Sequence, residues 1–182
     1  MLRWKSNYII VLLMICFSIF VHPPTFLAEV GNDSKQTAFL DFEKDVLDLI
    51  ASSMEPSGKL DKLDGKVNEE SLYNIALMAK EEFTKNSLIL AKLKVPTVLP
   101  DDIKASLEKV KGELSIGFKA MEESMDYLAQ YMVNRSPVLY DKYIKRHKKG
   151  FLYIDGGLTS LTTVRLRLDA PKGSISNAWK VE

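Results

Sequence analysis

Between Asp101 and Leu168 the apolar residues recur in steps of three and four. Ile103, Leu107, Val110, Leu114, Phe118, Met121, Met125, Leu128 and Met132 form one series. Tyr140, Ile144, Phe151, Ile154, Leu158, Leu161, Val164 and Leu168 form a second, with one doubled step across His147. That period places each series on one face of a helix, and such a face needs another apolar surface to cover it. Asn134-Arg135-Ser136-Pro137 separates the two, and a hydroxyl residue followed by proline is a strong helix start. The pattern predicts two long helices closed as an antiparallel hairpin. Asp101 and Asp102 are the expected cap and first turn of the first arm, and the second arm should run to about Asp169.

Two shorter amphipathic stretches precede the hairpin. The first is expected to start at a cap on Asp33 or Ser34 and to run to about Glu55, burying Phe39, Phe42, Val46, Leu49 and Ile50. Pro56-Ser57-Gly58 should end it. The second is expected over Glu69 to about Lys94 behind an Asn68 cap, with Asn86 and Ser87 as a polar break in its apolar stripe. Val95 to Pro100 must be extended, since a residue before proline avoids the helical region. The sum is an all-α, up-down-up-down four-helix bundle with two long C-terminal helices. It should occupy residues 29–170, followed by a short tail at 171–182 that carries Trp179.

One stretch supports a second reading. Asp155-Gly156-Gly157 is a favoured turn, and Val164-Arg165-Leu166-Arg167-Leu168 alternates as a strand does, so three helices plus a β-hairpin around 151–168 is the competing fold. Helix is preferred because the apolar spacing runs unbroken across the glycines. Gly150 and Gly157 then fall on the apolar face of the second arm, and Gly117 on that of the first. Small residues there imply either close approach of the helices or a gap for a ligand.

The N-terminus changes the picture of where the bundle works. Arg3 and Lys5 precede Tyr8–Val21, a run of apolar residues broken only by Ser18, and Pro23-Pro24 comes after it. The run is shorter than the roughly 20 residues of a membrane span and matches the apolar region of an export signal. Residues 1–28 are expected to be a signal peptide cut after Ala28 or, because Phe26 is large for a cleavage site, an uncut N-terminal anchor. The protein is expected to be secreted or extracytoplasmic, with membrane contact only through that segment.

Composition is that of a globular domain, 46% hydrophobic and 27% charged, and the formal net charge of +1 argues against nucleic-acid binding. The single cysteine, Cys16, lies in the leader, so the body has no thiol chemistry. No cofactor or metal is expected. The body has one histidine, His147, between Arg146 and Lys148, and no Glu-x-x-His pair, nucleophile motif or phosphate loop. Around Gly65, Leu60 and Lys62 fall at ligand positions of a calcium loop, which excludes that reading. Glu122, Glu123 and Asp126 read as a solvated acidic face. The densest charge is basic: Lys142, Lys145, Arg146, Lys148 and Lys149. These residues are expected either to pair with the three acids or to form a patch for anionic envelope polymers or lipid headgroups. Tyr127, Tyr131, Tyr140 and Tyr143 gather near the hinge. The expected function is a non-enzymatic interaction module at the cell surface or envelope, with an unidentified protein as the other partner class. The alternative is a carrier of small apolar ligands with its cavity at Gly117, Gly150 and Gly157.

Overall fold

The computed structural model describes residues 25–58 and 68–171 of the chain. Most of the expected leader, the connection at 59–67 and nearly all of the tail lie outside the described residues. The chain divides into two compact units, 1–35 and 36–182. In the first, the opening turns of one helix are described; the second holds the bundle.

Four helices and no strand make up the described residues: α1 (Thr25–Gly58), α2 (Glu69–Lys92), α3 (Asp101–Asn134) and α4 (Pro137–Arg167). The fold is an all-α four-helix bundle. The hairpin alternative at 151–168 is overturned, because α4 is helical through both glycines. Its alternation resolves in favour of the three–four period: Val164 and Leu168 are buried one turn apart, and Leu166 is left 75% exposed. None of the described helices is long and apolar enough to cross a membrane.

The boundaries correct the sequence reading in three places. First, α1 starts at Thr25 rather than at a cap on Asp33 or Ser34. Between them only Gly31 opposes helix, at about 1 kcal/mol relative to alanine. At its other end α1 continues through Pro56 to Gly58; in a last turn, proline forfeits one backbone bond with little helix beyond it to disrupt. Second, the residue capping α3 is Pro100, and Asp101 and Asp102 both lie in the first turn, where the helix dipole favours carboxylates. Third, α2 ends at Lys92 because Leu93 is already extended, ahead of Val95-Pro96. Asn68 caps α2 as expected, its Oδ1 accepting from the Ser71 N–H at 2.7 Å.

Packing rests on two matched seams. On α3, Ile103, Leu107, Val110, Leu114, Gly117, Met121, Ser124 and Leu128 are all buried. On α4 the seam runs Tyr143, His147, Gly150, Ile154, Gly157, Leu161, Val164 and Leu168. Both alternate steps of four and three, the repeat of a coiled-coil seam. The pairs across it run antiparallel: Asp102 with Arg167, Glu113 with Ser160, Glu123 with Arg146, Tyr131 with Tyr140. Antiparallel pairs also join α2 to α3, through Glu69–Arg135, Lys80–Asp126 and the edge-to-face rings of Phe83 and Phe118. Phe39, Phe42, Val46, Leu49 and Ile50 of α1 complete one continuous core.

Polar groups fasten α1 onto this core. The Gln36 side chain donates to the carbonyls of Leu168 and Asp169, both at 3.0 Å, closing the C-terminal end of α4. Asn86, expected as a break in the α2 stripe, is buried; its amide donates to the hydroxyls of Ser52 and Ser53, each at 2.9 Å. Glu43 and Arg165 meet as an ion pair between α1 and α4, 2% and 8% exposed.

Candidate functional site

The first half of α4 carries the charge and aromatic residues that the sequence singled out. Ser136 is extended and its carbonyl accepts the N–H groups of Leu139 and Tyr140, while its hydroxyl makes no cap bond. Pro137 with its fixed φ therefore sets the start of the helix. Before it, Arg135 adopts the left-handed conformation at φ 54°, and its N–H bonds the Tyr131 carbonyl at 2.8 Å, which closes α3. That short hinge sends α4 straight back along α3.

The expected pairing of the basic run with the acidic cluster holds at one position. Arg146 Nε meets Glu123 Oε2 at 3.0 Å. The other two acids are taken elsewhere: Glu122 by Lys119 at 3.1 Å, Asp126 by Lys80 at 2.6 Å and by the Gln130 amide at 2.6 Å. Lys142, Lys145, Lys148 and Lys149 are exposed and have no acidic partner among the described residues. Lys142 instead lies 5.4 Å from the centre of the Tyr127 ring and Lys149 5.7 Å from that of Tyr153, contacts that hold an ammonium without neutralising it. Lys142, Lys145 and Lys149 succeed one another in steps of three and four along the outer side of α4. Val138 and Leu152, 62% and 69% exposed, bracket them on the same side. Beside this ridge Lys119, Glu123, Arg146 and Lys149 edge an open recess of about 270 Å³.

On the opposite flank of α4 the tyrosine cluster extends further than the sequence suggested. Rings succeed one another from Tyr131 to Tyr140 (5.2 Å), Tyr143 (5.8 Å), His147 (5.3 Å) and Phe151 (4.8 Å). The spacing of 140, 143, 147 and 151 was the available signal, since the doubled step of the apolar series already spans His147. His147 is held by its ring neighbours and has no side-chain hydrogen bond among the described residues. Burial lowers its pKa below 6.5. The unfolded chain therefore takes up the proton first, and stability is complete above pH 6.5 and lost as the pH falls through the lower folded-state value. Melting temperatures measured above and below pH 6.5 should fall on acidification in the native chain, and less so in His147→Phe.

The three seam glycines are all buried. A Cβ on Gly117 would lie 2.8 Å from Ile154 Cγ1 and 3.1 Å from the Ile154 nitrogen. One on Gly150 would meet Met121 Cγ and Sδ at 2.5 Å, and one on Gly157 would meet Leu114 at 2.8 Å. Neighbouring side chains and backbone occupy the space at each glycine, and a ligand there would have to displace them. Among the described residues no group of three His, Cys, Asp or Glu side chains is placed to hold a metal ion. Comparison with protein-family models, with curated proteins and with solved structures finds no match to this chain.

Proposed function

We propose that the protein is a non-enzymatic interaction module working outside the cytoplasm, at the cell surface or envelope, and that it engages an anionic partner through the outer side of α4. One observation carries this reading: Glu122 and Asp126 are committed to Lys119 and Lys80, so Lys142, Lys145 and Lys149 keep their charge unpaired on an exposed ridge. Clustered cations with no internal partner attract polyanions, and the attraction weakens with salt. The ridge is convex, which suits an extended anionic surface or polymer better than a small molecule. Location outside the cytoplasm rests on the character of residues 1–28.

The full chain should be retained by an envelope fraction at low salt and released as salt rises. Lys142→Gln, Lys145→Gln and Lys149→Gln combined should reduce retention roughly tenfold or more, since each lysine near an anionic surface contributes about 1 kcal/mol. Retention that ignores both salt and the triple substitution would remove the basis of the proposal. So would turnover of a substrate that depends on Glu122 or Glu123.

A further inference from the structure

The side of α2 that faces away from the core carries two apolar couples with charged residues between them. Leu77 and Met78 are 38% and 45% exposed, Leu88 and Ile89 61% and 45%. Between the couples lie Glu81 and Lys85, both exposed. Large apolar residues grouped on one face differ from the single exposed ones that every surface carries. Their order is also symmetric about Phe83, which points into the core: the couples lie on either side of it, and the acid precedes it by as many residues as the base comes after it.

A face with that symmetry complements itself when it is turned end over end. We infer that this face of α2 is a homodimer surface, on which a second copy of the chain docks its own α2 antiparallel across a two-fold axis level with Phe83. In that arrangement Leu77 faces the partner's Leu88 and Met78 faces the partner's Ile89. Glu81 reaches the partner's Lys85, and the axis repeats every contact. The same face set parallel would place like charges together. Lys85 is free to exchange partners, because within its own helix it is held only by an exposed contact to Glu82 at 3.2 Å. One helix pair is a small contact, so the dimer dissociates on dilution.

Sedimentation of the full chain over a concentration series tests this. Wild type shifts from monomer to dimer as concentration rises. Leu88→Glu keeps the chain monomeric with unchanged helical circular dichroism, since Leu88 lies outside the core. Glu81→Lys and Lys85→Glu each weaken the dimer roughly tenfold, because the axis doubles each like-charge contact. The double variant Glu81→Lys/Lys85→Glu recovers wild-type association. Three results would overturn the inference: a monomer at every concentration, a dimer or larger assembly that ignores Leu88→Glu, or a double variant no better than the single ones. Vesicle binding lost in Leu88→Glu by a chain that stays monomeric would overturn it too, by giving the face to a bilayer.

Discussion

Replacing Arg165 with alanine is expected to cost about 3–5 kcal/mol of unfolding free energy near neutral pH, the range found when one member of a buried ion pair is removed. The guanidinium is the partner of Glu43 between α1 and α4, and both residues are buried. Removing it leaves the buried Glu43 carboxylate without its counter-charge. The pair itself is an expensive device. Glu43 Oε1 and Arg165 Nε lie buried without a hydrogen-bond partner among the described residues, and such groups forgo their hydration without compensation. Glu43→Leu together with Arg165→Met should therefore match or exceed wild-type stability, by up to about 4 kcal/mol.

The pH dependence of this pair has a definite sign. Burial raises the Glu43 carboxyl above its ordinary 4.5 by more than Arg165 lowers it. The folded chain then holds the proton more tightly than the unfolded one. Stability from this group is complete below pH 4.5 and is lost as the pH rises through the elevated folded-state value. Denaturant unfolding of Arg165→Ala should show a smaller loss near pH 4.5 than near neutrality. An equal loss at both would mean that the carboxyl is better solvated than its position implies.

A valine in place of Gly117 is the second large effect, expected to destabilise by about 1–3 kcal/mol or somewhat more. The added carbons meet Ile154 Cγ1 and, behind it, the backbone of Ile154 and the Gly150 carbonyl at 3.1 and 3.2 Å. A side chain can rotate away, whereas the facing helix backbone can only retreat, and retreat opens the seam from Val110 to Met121. Gly156 is the control. Nothing lies within 4 Å of a Cβ there, so Gly156→Ala should gain up to about 1 kcal/mol from helix propensity alone. Parallel urea titrations followed by circular dichroism decide the matter. Two glycine substitutions of the same sign would contradict close approach as the reason for Gly117.

How much of this could be read from the chain depends on whether the cause was local. The three–four spacing of α3 and of the second half of α4 fixed their faces, and the seam positions of Gly117, Gly150 and Gly157 came with it. In the first half of α4 the seam instead follows Tyr143, His147 and Gly150, and Tyr140 and Phe151 are left exposed. Asn68 and Pro137 marked helix starts because capping involves neighbours in sequence. Glu43 was invisible, since it sits among Asp41, Lys44 and Asp45 and only the approach of α4 makes it a core residue. Asn86 was misread for the same reason: its partners lie on α1, some thirty residues earlier. The fate of Glu122 and Asp126 was likewise settled by Lys119 and Lys80, and the second of these is on another helix. Charge patterns show which residues can pair; only the fold shows which lysines are left over.

That remainder is the centre of the functional account, and it can be located residue by residue. The full chain, labelled with nitrogen-15, is titrated with vesicles carrying anionic headgroups and, separately, with soluble polyphosphate, at low and high salt. Backbone signals of residues 138–152 should shift or broaden first with an anionic probe, high salt should reverse the change, and Lys142→Gln/Lys145→Gln/Lys149→Gln should abolish it. Perturbation confined to other helices, or persisting in the triple variant, would contradict this.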